Sequence, residues 1–194
     1  MNMKDGNGKS YNYEEDDEDE KKINVRKEIF SWIKTILLAL VLAYCINTFV
    51  IVNATVPTGS MENTIMPKDR IIALRLAYDF GKPQRGDIAV FKYPDNESLL
   101  YVKRVIGLPG ETVEIKDGLV YINGADEPLA DEYVKETPYG DFGPYEVPDG
   151  HYFMLGDNRN ESLDSRFWIN KFVEEDKILG KVYLKYFPGF KLLK

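Results

Sequence analysis

TVEIKDGLVYI (residues 112–122) reads as two short β-strands around a tight turn. Val113 to Lys116 and Leu119 to Ile122 are rich in β-branched and aromatic residues, and Asp117-Gly118 tolerates the positive φ angles of a two-residue hairpin. Asn123-Gly124 marks a second turn. Outward from this hairpin the pattern repeats, with runs of Ile, Val, Tyr and Phe separated by Gly, Pro and Asp. Further strands are expected at Arg70 to Leu76, Asp87 to Tyr93, Leu99 to Ile106, His151 to Leu155 and Lys181 to Phe187. Ala125 to Asp149 reads as a long irregular excursion, and Asn170 to Asp176 as room for one helical turn. Val182 to Phe190 is expected to be a core strand and its exit, with an apolar surface resting on a bilayer as the alternative. The fold class is mostly β.

Upstream, Thr35 to Val52 is 18 residues without a charge, 11 of them Leu, Ile, Val or Phe. Each favours a membrane-centred helix by ~0.3 to 0.6 kcal/mol, roughly 3 to 7 kcal/mol together before Asn47 and Thr48 are counted. A single transmembrane helix over 29–52 is expected. Lys21, Lys22, Arg26, Lys27 and Lys34 precede it. Because the positive-inside bias counts Lys and Arg, the N-terminus is expected in the cytoplasm and residues 53–194 outside as one β domain. Residues 1–28 are an acidic then basic tail, expected to be disordered. A buried core helix and a secretory signal cut after Val52-Asn53-Ala54 are the competing readings.

The net charge of −7 argues against a nucleic-acid partner, which would require a basic face. Cys45 is the only cysteine, so no disulfide forms within the chain, and no Cys/His spacing suits a metal.

Strand alternation puts Lys103 on one face with Leu99, Tyr101 and Val105, and Arg104 on the other with Val102 and Ile106. One of the two cations must then lie among apolar side chains, unless the strand is an edge with both reaching solvent. A buried lysine loses affinity for its proton and becomes a general base; arginine cannot. Bringing it to about 8 takes roughly 3 kcal/mol. Ser60 follows Val56-Pro57-Thr58-Gly59, a turn able to present a hydroxyl beside backbone N–H groups. His151 carries no feature pairing it to a serine. A serine just beyond a membrane segment, with lysine as its base, suggests hydrolysis of peptides emerging from that membrane.

Ser60-Met61, the run Tyr101 to Glu111 and the loop Gly156 to Arg166, in this order after one membrane segment, resemble the signature boxes of bacterial type I signal peptidases. These leader peptidases form serine peptidase family S26, and the short chain resembles the minimal Gram-positive type. The resemblance implies the β fold shared by signal peptidases and repressor autoproteases, preceded by a single N-terminal transmembrane helix. It implies a serine endopeptidase that removes signal peptides from exported preproteins after small residues of Ala-X-Ala type, without cofactor or metal. By position Ser60 matches the nucleophile and Lys103 the general base. Thr58 matches an oxyanion-stabilising hydroxyl and Ser162 a serine orienting the lysine. Arg104, Asp157, Asp164 and Arg166 match charged residues bracing the site. Membrane lipid and a nearby secretion translocon are the implied partners, in the plasma membrane. Asn63 departs from the family, which commonly has proline there, and this could loosen the turn that aims Ser60. Two alternatives remain: a non-catalytic membrane-tethered assembly or chaperone relative, and a Ser-Lys autoprotease, which should be cytosolic.

Overall fold

The computed structural model describes residues 13–193, in two units, residues 1–46 and 47–194. The first unit is a helix, α1 (Tyr13–Cys45). Residues 1–12 of the expected disordered tail lie outside the described residues, and residues 13–28 differ from that expectation by being helical. Glu and Lys are good helix formers, and acidic residues at a helix start suit its dipole. The apolar helical run Val25–Val50 is long enough to cross a membrane and none of its central window is buried, so it is a candidate anchor.

The expected span to residue 52 runs too far. A π turn (Ile46–Val50) is followed by β1 (Ile51–Thr55), which pairs antiparallel with β2 (Arg70–Leu74). Cross-strand bonds to β2 outcompete continuation of the helix for these β-branched residues. A short helix α2 (Leu76–Asp79) follows, then β3 (Ile88–Tyr93), β4 (Asn96–Gly107), β5 (Thr112–Lys116), β6 (Leu119–Ile122), β7 (Phe142–Glu146), β8 (His151–Leu155), β9 (Val173–Glu174), β10 (Ile178–Phe187) and β11 (Lys191–Leu192). The domain is mostly β, as the sequence implies.

The large sheet has the order β1-β2-β10-β3-β4-β8-β9, with β11 on β10, and β6-β5-β7 form a smaller sheet. β1 is an edge strand, whereas β4 is central, flanked by β3 and β8. The 112–122 hairpin forms in the expected register, with Asp117 at φ 51° and Gly118 at φ 77°. A Cβ on Gly118 would also strike the Pro138 backbone.

Three elements were not legible locally. β7 lies inside the stretch read as irregular, its pattern broken by Gly143 and Pro144, and becomes a strand by pairing with β5. Within 170–176, read as room for one helical turn, Val173–Glu174 pair with β8 as a strand, and the turn, a 3-10 one, follows at Glu175–Lys177. In the last strand Val182 is buried, but Tyr183 (39%), Phe187 (56%) and Phe190 (75%) are exposed, so most of its aromatics are not core.

Candidate active site

The turn carrying Ser60 links β1 to β2. Glu62 N donates to Gly59 O (2.9 Å) and Ile65 N to Met61 O (2.8 Å), while the fully buried Met61 and Ile65 side chains pin the turn to the core. Lys103 lies on β4 opposite Ala89. Across 43 residues of sequence, Lys103 Nζ reaches Ser60 Oγ at 2.6 Å, with a second contact to Val102 O at 3.3 Å. Lys103 is 3% exposed and Ser60 7%. Burial pulls the Lys103 amine from 10.5 down to about 8, against the opposing charges of Asp164 and Asp157.

Alternation required one buried cation, and the structure buries both, because β4 is central. Arg104 Nε and Nη2 donate to the two carboxylate oxygens of Asp157 at 2.8 and 2.6 Å, and Nη1 donates to Gly86 O at 2.6 Å. This bidentate pair satisfies a charge that lysine's single ammonium would match less well. Thr64 Oγ1 also donates to Asp157 (2.5 Å), tying the far end of the Ser60 turn to β8's exit loop. In that loop Arg166 Nε and Nη2 bind Asp164 at 2.8 Å each, and Asp164 accepts Gly156 N at 3.1 Å. Gly156 is obligatory, since a Cβ there would overlap Ser162 Oγ and Ser60 O.

Thr58 Oγ1 lies 3.3 Å from Ser60 Oγ, on the same turn. Ser162 is the expected residue that the structure does not join to the lysine. Its Oγ is buried beside Gly156 and, among the described residues, has no hydrogen-bond partner. His151 contacts Asp149 O through Nδ1 and borders a separate cavity with Lys92 and Lys177, so it offers Ser60 no base. Among the described residues no group of His, Cys, Asp or Glu side chains converges to hold a metal.

Sequence reasoning missed four contributors. Arg159 is buried and pairs with Asp131 at 2.6 Å, while the Tyr133 ring lies 3.9 Å from the Arg104 guanidinium. Asn158 bonds the Ser60 turn twice, N to Ser60 O and Nδ2 to Gly59 O, each 3.1 Å. Asn158 sits within the recognised loop, but Asp131 and Tyr133 belong to the irregular excursion and carry no local signal. Beside Ser60 and Lys103 opens a mainly apolar groove of ≈ 460 Å³, lined by Ala54, Val56, Val90, Leu100, Val102 and Leu163 among others.

Asn63 has φ 77°, a left-handed conformation that asparagine tolerates and proline cannot adopt. A proline would not fit this turn without rebuilding its backbone. Restoring the family's proline by Asn63→Pro is expected to cost about 1–3 kcal/mol, read as a lowered thermal midpoint, with Asn63→Gly near neutral. A proline variant as stable as the parent would contradict this backbone.

A family model described as "Signal peptidase, peptidase S26" matches residues 29–187. The chain is 38% identical over 184 residues to the signal peptidase I of Bacillus licheniformis, covering 91% of this chain and 98% of that protein. It is 43% identical over 167 residues to the signal peptidase I of Leptolyngbya laminosa (82% and 80% covered). With the probable signal peptidase I-2 of Synechocystis it shares 40% over 160 residues (80% and 72% covered).

Proposed function

This chain belongs to the signal peptidase family, peptidase S26, a family of serine endopeptidases, and from that premise we propose that it cleaves signal peptides with a Ser60–Lys103 dyad. The observation that carries this reading is the 2.6 Å approach of Lys103 Nζ to Ser60 Oγ within a buried site.

Neutral Lys103 accepts the Ser60 hydroxyl proton as Oγ attacks the scissile carbonyl carbon. The carbonyl π electrons move to oxygen, where the Ser60 N–H and the Thr58 hydroxyl stabilise the oxyanion. Collapse breaks the C–N bond, and the leaving amine takes the proton from Lys103. Neutral Lys103 then deprotonates a water as it attacks the ester carbon; the bond from that carbon to Ser60 Oγ breaks, and Lys103 returns the proton to Oγ. Arg104, Asp157, Asp164 and Arg166 hold this geometry and do not exchange protons. Ser162 would orient the amine once substrate excludes solvent, a role favoured by its buried, unpartnered hydroxyl.

The precursor enters extended and adds to the free edge of β1, so that alternate side chains point into the apolar groove. The short apolar side chains of Ala54, Val56 and Val90 in its lining suit alanine-like residues one and three places before the cut. The apolar helix anchors the enzyme in the plasma membrane with its N-terminus cytoplasmic, because the flanking lysines precede the span. The β domain then meets precursors as they leave the secretion translocon.

The pH profile tests the base. Since Lys103 must be neutral, kcat/KM is expected to rise with pH along a limb of apparent pKa near 8 and to level above it. Folding favours the neutral amine, so stability should also rise between about 8 and 10.5, where the unfolded chain binds the extra proton. Activity that peaks near pH 6 and falls toward 8 would exclude a neutral Lys103 as base.

A further inference from the structure

β6 and β7 both pair antiparallel with β5, so they run parallel to each other and the chain between them must cross back. Residues 123–141 make that return by way of the exit loop of β8, where side-chain ties hold them. Asn160 Nδ2 donates to Thr137 O (3.1 Å), and Tyr139 N donates to Asn160 Oδ1 (3.3 Å). The Asp131 carboxylate meets buried Arg159 at 2.6 Å, and Arg159 Nε in turn donates to Gly156 O at 3.1 Å. A further tie is Tyr133, whose ring centre lies 3.9 Å from the Arg104 guanidinium carbon.

Tyr133 is fixed through its hydroxyl as well as its ring. The hydroxyl donates to Asp131 Oδ1 at 2.5 Å while the other Asp131 oxygen meets Arg159, so one carboxylate orients the phenol and is itself held. Val134 N donates to Asp131 O (2.9 Å), closing the turn that carries the ring. Burial and the Asp131 charge push the proton affinity of the phenol well up, so it stays a neutral donor. The bonds from Arg104 to Asp157 and Gly86 O use N–H groups that lie in the guanidinium plane, and such bonds resist tipping out of that plane poorly. A ring packed on the face resists it well, and its quadrupole favours the cation. The ring also keeps water from that side of the ion pair, which strengthens the pair.

Lys103 and Arg104 point to opposite faces of β4, and among the described residues the groove lining includes Lys103 but neither Arg104 nor Tyr133. The route from Tyr133 to the reaction is Asp157. This carboxylate takes Arg104 through both oxygens, accepts Thr64 Oγ1 from the Ser60 turn, and by its charge favours the protonated form of Lys103. We propose that Tyr133 is a positioning residue for the cleavage, which covers a face of Arg104, keeps Asp157 paired, and so holds the Ser60 turn and the field at the lysine. The inference rests on the reading of Lys103 as the base. Ser60, Tyr101, Asp157 and Asp164 surround that amine, and Asp157 is the member of this set bonded to Arg104.

The test compares Tyr133→Leu, Tyr133→Met and Tyr133→Phe in the full chain, cleaving an Ala-X-Ala precursor, with rates taken per folded protein from circular dichroism. Leucine and methionine fill space without a π face, and whichever of the two folds carries the test. Such a variant is expected to lower kcat about tenfold with KM within about twofold. The rising limb of kcat/KM should move up by about half a pH unit or more, because a less compensated Asp157 raises the proton affinity of Lys103. Tyr133→Phe keeps the ring and should bring kcat back to within about threefold of the parent. Parental kcat in the leucine or methionine variant, or a slower kcat with the limb unmoved, overturns the proposal. A phenylalanine variant as slow as those two overturns it as well, by assigning the effect to the hydroxyl. Lys103→Ala is run alongside: cleavage that survives there sinks the dyad and this inference with it, whereas a normal Tyr133→Leu in an enzyme that needs Lys103 sinks this inference alone.

Discussion

Replacing Ser60 by alanine, or Lys103 by alanine or arginine, is expected to lower cleavage of an Ala-X-Ala precursor by about 10³-fold or more. Ser60→Ala removes the hydroxyl that the lysine contacts. Lys103→Ala removes the one amine that, among the described residues, bonds that oxygen. Arginine supplies length and charge but stays protonated, so Lys103→Arg fails although it looks conservative. Neither alanine variant should unfold the domain, because the Ser60 and Lys103 side chains bond mainly to each other. Lys103→Ala relieves the burial of an amine and should leave thermal stability equal or higher near pH 7. Turnover of a radiolabelled precursor, with circular dichroism as a folding check, measures both. Undiminished cleavage by well-folded Lys103→Ala protein would end the dyad reading.

The second large effect is on stability. Asp157→Ala leaves the Arg104 guanidinium 3% exposed with its bidentate partner removed. Breaking a buried pair from one side costs about 3–5 kcal/mol, because the carboxylate that met the buried guanidinium through two oxygens is lost. For a domain of this size that corresponds to a fall of about 6–20 °C in Tm. Thr64 loses its acceptor as well, so the Ser60 turn loosens and activity falls with stability. Replacing both partners by apolar residues, Arg104→Met with Asp157→Leu, should recover much of the stability while leaving activity low. Thermal unfolding of the single and double variants separates the terms. A loss below ~1 kcal/mol in Asp157→Ala would mean that the pair is hydrated and not part of the buried brace.

Local pattern made much of this protein readable. The 112–122 hairpin needed only alternation and an Asp-Gly turn, and the candidate anchor needed only an uncharged run. β7 escaped because a strand containing Gly143 and Pro144 has little preference of its own and exists through its pairing with β5. The helix end was misplaced because Ile51 and Val52 suit a lipid-facing helix and a paired strand equally; β2, twenty residues on, decides. Asn63 shows the same limit, since the identity of a residue does not reveal the sign of its φ.

What the sequence determined by itself was the inventory: a β domain behind an apolar helix, a serine in a turn, a lysine beside an arginine on one strand, and a loop dense in charge. These follow from neighbours a few residues apart. Only the tertiary structure decided that β4 is central, and hence that both cations are buried. It likewise brought Lys103 to Ser60 and drew Asp131 and Tyr133 onto the arginines. The reason is that a proton affinity depends on every group packed around the amine. Here those groups come from β1's exit, β4 and β8's exit loop, which are distant in sequence and adjacent in space.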